Sequence, residues 1–196
     1  MSEPGDVTPL DPDEAEELRL SYIATRAELN VAEATNIAEG LRWAARRQPR
    51  TEEILADRFL RELHRRMFCD VWTWAGRYRI TEKNIGVDPA RISVEVHNLV
   101  EDAAFWVAAV NTGGWSLDEI GARFHQRLVC IHPFPNGNGR HSRAATDLLL
   151  AALATEPFTW GRSDLCRPGE VRERYIAALR AADAEDFSLL LAFARS

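Results

Sequence analysis

One stretch concentrates the residues able to do chemistry: Ile131-His-Pro-Phe-Pro-Asn-Gly-Asn-Gly-Arg-His-Ser-Arg143. His132 is a base that titrates near neutral pH and can take a proton from a hydroxyl. Beyond it, two glycines lead into a helix. Amides at a helix start have no internal partner, and glycine lets a ligand approach them closely. Arg140 and Arg143 stand three residues apart and project from the first turn on nearby faces. Two guanidiniums over a cradle of amides make an anion site suited to a di- or triphosphate, with a proton acceptor at its edge. Taken piece by piece, the same residues read as a plain turn and a solvated helix start; the joint pattern carries the chemistry.

The elements that must position this loop are helical. Thr25-Arg-Ala-Glu28 is a capping-box pattern, and a helix runs from it to about Arg47, with Ile37, Leu41 and Ala44 on one face. Pro49 closes that helix, and Thr51-Glu52-Glu53 opens a second that carries Leu55, Phe59, Leu60, Leu63 and Met67. Helical spacing resumes from about Ile92 to Val110. Ser116-Leu-Asp-Glu119 is another capping pattern before Ile120, Phe124, Leu128 and Ile131, and Pro133 halts that helix. The next starts near Asn138, another at Pro168-Gly-Glu170, and the last covers Glu185 to Ala194. Between them Tyr78 to Val87, with β-branched residues around Lys-Asn, predicts a short hairpin. The expected class is all-α with one small β-hairpin.

Composition narrows the function classes. With 24 Lys and Arg against 30 Asp and Glu, the net charge of -6 gives no general pull toward nucleic acid or anionic lipid. The three cysteines Cys69, Cys130 and Cys166 are widely spaced, so free thiols are expected in place of a disulfide frame or thiolate zinc site. The opening is acidic and Pro-rich, unlike a signal peptide, and no apolar run is long enough to span a bilayer; a cytoplasmic protein with no membrane partner is expected. Residues 1–24 read as an N-terminal arm and 25–196 as one domain. His64 reads as a structural hydrogen-bonder. His125 and His132 lack a carboxylate to complete a zinc set, and the six tryptophans read as packing.

His132-Pro-Phe134-Pro-Asn136-Gly137-Asn138-Gly139-Arg140-His-Ser-Arg143 resembles the signature of the Fic/DOC family, His-x-Phe-x-acid-Gly-Asn-Gly-Arg-x-x-Arg. The likeness extends to Leu63-His-Arg-Arg-Met-Phe68, to Trp72-Thr-Trp-Ala-Gly-Arg-Tyr-Arg79 and to Tyr175-Ile-Ala-Ala-Leu179. With Asn84-Ile-Gly86, it is most similar to the subgroup called mobile mystery protein B.

The resemblance implies a helical Fic bundle with a small flap beside the active-site loop, and a transfer of AMP from ATP to a Ser, Thr or Tyr hydroxyl of a target protein. It makes His132 the base and Phe134 the loop anchor. Gly137, Asn138 and Gly139 become phosphate donors, Arg140 the β-phosphate ligand and Arg143 the γ-phosphate ligand. Ile80 and Ile85 fall on the flap that would register the target backbone. Mg²⁺ is implied, bridging the phosphates; the family's acid is replaced by Asn136, whose neutral oxygen would hold the ion more weakly.

Thr35-Asn-Ile-Ala-Glu39-Gly40 resembles the family's inhibitory motif, in which the glutamate pairs with the second signature arginine, here Arg143. The helix at about 25–47 would then act as a brake in cis. Two other readings stand beside the adenylyltransferase. One is a bifunctional or AMP-removing enzyme with Glu39 activating water; the other is a nucleotide-binding regulatory module with little catalysis.

Overall fold

A computed structural model describes residues 16–161 and 168–196. Among the described residues, eight α-helices follow in chain order: α1 Arg26–Arg47, α2 Thr51–Ile54, α3 Asp57–Phe68, α4 Ile92–Ala108, α5 Leu117–Ile131, α6 Asn138–Ala152, α7 Pro168–Ala182 and α8 Ser188–Arg195. α5 and α6 form the central hairpin; α3 and α4 pack on it, α1 lies against α3, and the α7–α8 pair closes the other side.

The helix boundaries follow local chemistry. Thr25 closes the expected capping box on α1, its side chain accepting the Glu28 N–H while the Glu28 carboxylate reaches back to the Thr25 N–H. Ser116 caps α5 by accepting the Glu119 N–H. The second expected helix is broken: α2 stops at Ile54, and a new start at Ala56 opens α3. The turn lets α3 present Phe59, Leu60, Leu63, Met67 and Phe68 to the core.

Two apolar cores result among the described residues. The larger joins α1, α3, α4, α5 and α6 through residues such as Leu29, Leu63, Phe68, Trp72, Leu99, Phe124 and Leu149. The smaller gathers Leu150, Phe158, Trp160, Ala178, Phe187, Leu190 and Phe193 under α7 and α8. Trp72, Trp74 and Trp160 are buried in them, the packing role expected.

Of the N-terminal arm, residues 1–15 lie outside the described residues. The remainder is docked: the Arg19 N–H donates to the Val71 carbonyl, the Thr73 N–H to that of Glu17, and Ile23 is buried. Cys69 and Cys130 are free thiols; Cys166 lies outside the described residues.

The expected hairpin at Tyr78–Val87 is not formed: no strand occurs among the described residues, and this segment is an irregular loop. Its backbone is held inward, not across itself. The Arg79 N–H donates to the Pro133 carbonyl and the Val87 N–H to that of Ile131. The Arg79 side chain takes up the carbonyls that a ladder would otherwise pair.

Candidate active site

The loop 132–137 turns from the C-terminus of α5 to the N-terminus of α6, so a base and a row of helix-start amides share one rim. His132 is the C-cap of α5 in the left-handed region, at φ 52° and ψ 58°. That conformation is uncommon for a non-glycine residue and concentrates at functional sites. It is held from both sides: the His132 N–H donates to Leu128, and Arg79 Nε donates to the His132 carbonyl at 2.7 Å. The imidazole is half-buried, with Nδ1 inside and lacking a hydrogen bond of good geometry. Burial pushes its pKa below the usual histidine value, and Arg79 and Lys83 push the same way against the opposing Val129 carbonyl. The ring is therefore neutral at pH 7, as a base must be.

Phe134 sits where the loop needs an anchor. It is fully buried, stacked on His64 at 3.7 Å between centroids and edge-on to His141 at 5.0 Å. His64 is the structural hydrogen-bonder expected: Nδ1 accepts the Gly76 N–H at 3.0 Å, so Nε2 carries the proton and donates to the Asn136 carbonyl at 3.1 Å. His125 takes no part in the loop; its Nε2 meets the Tyr175 hydroxyl at 2.8 Å.

Asn138 has a different task from the one expected. Its side-chain oxygen accepts the Phe134 N–H at 2.9 Å and its amide donates to the Phe134 carbonyl at 2.8 Å. Both polar atoms are spent on stapling the loop, and the residue is buried, so its side chain is no phosphate donor. The donors left are backbone amides of the first turn of α6, where Gly137 is the N-cap and open space surrounds Gly139.

The two signature arginines part company. Arg140 Nη1 lies 2.6 Å from Glu33 Oε2, with the guanidinium 5.0 Å from the Phe68 ring centroid; its side chain stays 42% exposed. Arg143 turns toward α7, its guanidinium 4.5 Å from the Tyr175 ring centroid and 5.7 Å from that of Trp160, with Nε buried and unpartnered.

The expected Glu39–Arg143 pair is not formed. Glu39 has a 53% exposed side chain and lies 3.9 Å from Arg42 on its own helix. Thr35 is likewise on the outer side, its hydroxyl donating to the Val31 carbonyl. The reason is helix register. Leu29, Glu33, Asn36, Gly40 and Ala44 form the buried face, and Glu39 lies off it. Gly40 serves packing, because a Cβ there would stand 2.7 Å from the Met67 backbone nitrogen of α3. The buried glutamate is Glu33, which accepts the Trp72 Nε1–H at 2.7 Å as well as pairing with Arg140.

Asn136 is exposed beside the amide row, and its side-chain oxygen accepts the Gly137 N–H at 2.7 Å. No group of three or more His, Cys, Asp or Glu residues among the described residues could hold a metal ion. Toward an ion carried by a nucleotide, Asn136 offers one neutral oxygen with a lone pair to spare.

Arg79 and Glu33 are the site residues that sequence reading missed. A cleft of about 630 Å³ opens beside the loop, lined by Trp74, Arg77, Tyr78, Ile80, Lys83 and Asn136 among others. Ile80 is 90% exposed on its rim, and Ile85 is 59% exposed.

The chain belongs to the Fic/DOC family, whose domain spans residues 54–150. It is 30% identical over 140 residues, 69% of its length, to the protein adenylyltransferase fic-1 of Caenorhabditis elegans. The chain spans about a quarter of that relative's length. The fold is that of Fic structures: Fic-1 (residues 134–508) from C. elegans superposes with TM-score 0.64 at 24% identity, over 83% of this chain and 48% of that one. The effector protein BepC of Bartonella tribocorum, solved with bound AMPPNP, gives TM-score 0.65 at 18% identity, over 96% and 91%. Among the described residues no helix is long and apolar enough to cross a membrane.

Proposed function

We propose that the protein is a protein adenylyltransferase, transferring AMP from ATP to a Ser, Thr or Tyr hydroxyl of a target protein. The observation that carries this reading is the shared rim. A neutral His132, held at the end of α5, stands one short loop away from the free amides and Arg140 at the start of α6. Similarity to a named adenylyltransferase, and to a Fic structure holding an ATP analogue, supports it.

In this reading His132 takes the proton of the target hydroxyl. The oxygen forms a bond to the α-phosphorus, the bond from that phosphorus to the bridging oxygen breaks, and pyrophosphate leaves with the electron pair. The α6 amides and Arg140 hold charge as it moves onto the leaving group. Arg143 would reach a terminal phosphate only by leaving the Tyr175 and Trp160 rings. Mg²⁺, carried in chiefly by the nucleotide, would neutralise phosphate charge. The target segment would lie along the Tyr78–Val87 loop by Ile80 and Ile85.

We assign the brake to Glu33. It occupies Arg140 and places negative charge beside the phosphate rim, so ATP must compete with it. The test is transfer from α- or γ-labelled ATP by the wild type and Glu33→Gln in a native lysate, beside direct ATP binding. Label passing only from the α position supports adenylylation. Label from γ would make the protein a kinase, and ATP binding without transfer would leave a nucleotide-binding module. Release of AMP from premodified target would mark the AMP-removing enzyme.

A further inference from the structure

Arg79 is 3% exposed, yet among the described residues it pairs with no carboxylate. Burying a charge in this way is costly unless hydrogen bonds compensate it. Here they are backbone carbonyls drawn from both ends of one loop and from the chain around the base. Nε donates to His132 at 2.7 Å, Nη1 to Thr81 at 2.9 Å, and Nη2 to Val87 with a longer contact to Ile131 at 3.5 Å. A planar five-donor fork can serve several acceptors at once, which an ammonium on a flexible stem cannot do in the same geometry.

Gly86 closes the packing. A Cβ there would fall 2.6 Å from Arg79 Nη2 and 2.8 Å from His132 Cβ, and its φ of 104° suits glycine. The loop backbone thus lies directly against the side chain of the base and the guanidinium together.

We propose that Arg79 is a positioning residue for transfer, its guanidinium clamping the Thr81–Val87 loop to the backbone at His132 and so fixing the imidazole and the target-docking loop relative to each other. This rests on the adenylyltransferase reading. It explains why the loop dispenses with a hairpin ladder, since its carbonyls are gathered by one buried side chain. It also explains how His132 stays in a left-handed conformation immediately before Pro133. The clamp's charge acts on the base as well. The charged groups acting on His132 are Arg79 and Lys83, both on this loop; α5 contributes only the Val129 carbonyl.

Arg79→Met and Arg79→Lys test this in the full chain. The His132 titration is followed by NMR of labelled imidazole, with His132→Ala supplying the assignment. Arg79→Met removes a cation beside the ring, so its titration midpoint should move upward. Transfer should fall about tenfold in kcat, with KM for ATP within about twofold, because the base and loop lose registry while the α6 amides are untouched. Arg79→Lys keeps the charge and loses the fork: its midpoint should stay near wild type while kcat falls. An unmoved midpoint in Arg79→Met, or wild-type kcat in Arg79→Lys, overturns the proposal. If Arg79→Met fails to fold, Arg79→Lys still decides through kcat. Should the wild type transfer nothing, the adenylyltransferase reading falls, and the NMR midpoint still tests Arg79 alone.

Discussion

Glu33 and Arg140, 107 residues apart in sequence, are joined at 2.6 Å across the gap between α1 and α6. The carboxylate is buried and also holds Trp72 Nε1, whereas the arginine remains partly exposed. The pair ties the N-terminal helix to the first turn of α6, whose start amides line the proposed phosphate rim. Glu33→Gln keeps size, helix propensity and the acceptor for Trp72, and removes only the charge. ATP affinity should rise about three- to tenfold and transfer at low ATP with it, as Arg140 is freed for phosphate. Calorimetric binding of ATP checks it; equal or weaker binding in Glu33→Gln would show that the glutamate orients the arginine and does not restrain it.

His132→Ala should abolish transfer, by at least about a hundredfold, because general base catalysis typically supplies that much. ATP binding should change little, since the loop is anchored by Phe134, His64 and Asn138 and the amides belong to α6. Glu33→Gln combined with His132→Ala should stay inactive. Residual transfer near the wild-type rate would remove the assigned role.

Asn136→Asp should lower the Mg²⁺ concentration that gives half-maximal transfer. Aspartate keeps an oxygen for the Gly137 N–H and adds the charge that hard cations prefer. A metal titration of both proteins checks this, and coincident curves would place the ion away from residue 136.

The parts legible in the sequence were those that local chemistry decides. Thr25 and Glu28 announce the start of α1 because a capping box satisfies its own donors. Pro133 and the glycines after it mark the loop, and Phe134 is the one large apolar residue within it. The missing hairpin and the displaced brake have non-local causes. β-branched residues at Tyr78–Val87 suit a strand, but a buried arginine 53 residues from His132 supplies the hydrogen bonds instead. Thr35, Glu39 and Gly40 match a motif by spacing, and Ile37, Leu41 and Ala44 share a face by apolar spacing, but the buried face is Leu29, Glu33, Asn36, Gly40 and Ala44, which leaves Leu41 exposed and puts Glu33 inside. The family resemblance makes Asn138 a phosphate donor, and an exposed amide and a stapling amide look alike in sequence. Only the 2.9 and 2.8 Å bonds to Phe134 separate them.

Ile80→Pro and Ile85→Pro should weaken target modification more than ATP binding. The neighbouring amides of Arg79 and Val87 are committed inward, and Ile80 and Ile85 are two of the exposed positions between them where an incoming chain would pair in the proposed docking. Proline removes one donor at each and leaves the Thr81 and Val87 carbonyls, which the Arg79 fork binds, in the chain. A severalfold rise in KM for target at constant ATP affinity is expected. If neither substitution changes modification, the docking edge lies elsewhere along the cleft.

Three buried histidines make the fold, and through His64 and His141 the loop's packing, sensitive to acid. His125 and His141 are buried and pushed down to about 3 and about 4, and His64 is pushed well below its usual value, burial being the main cause each time. Depressed folded-state values mean that the unfolded chain takes up protons first. The stability these neutral rings confer is complete above the unfolded pKa near 6.5, and it drains as pH falls through the window down to about 4 and then 3. His141 alone should cost on the order of 3 kcal/mol by pH 4, a large share of a typical domain's stability. The melting temperature should therefore hold steady from pH 8 to 7 and fall steeply between pH 6 and 4. His141→Gln can still donate to the Leu60 carbonyl that His141 Nε2 meets at 2.8 Å, and it carries no titrating group, so its melting curve should depend less on pH. His141 packs edge-on to Phe134 and His64 holds the Asn136 carbonyl, so ATP binding should be lost along with stability in the same window. A melting temperature that stays flat to pH 4.5 would mean that these rings are more accessible to protons than their burial implies.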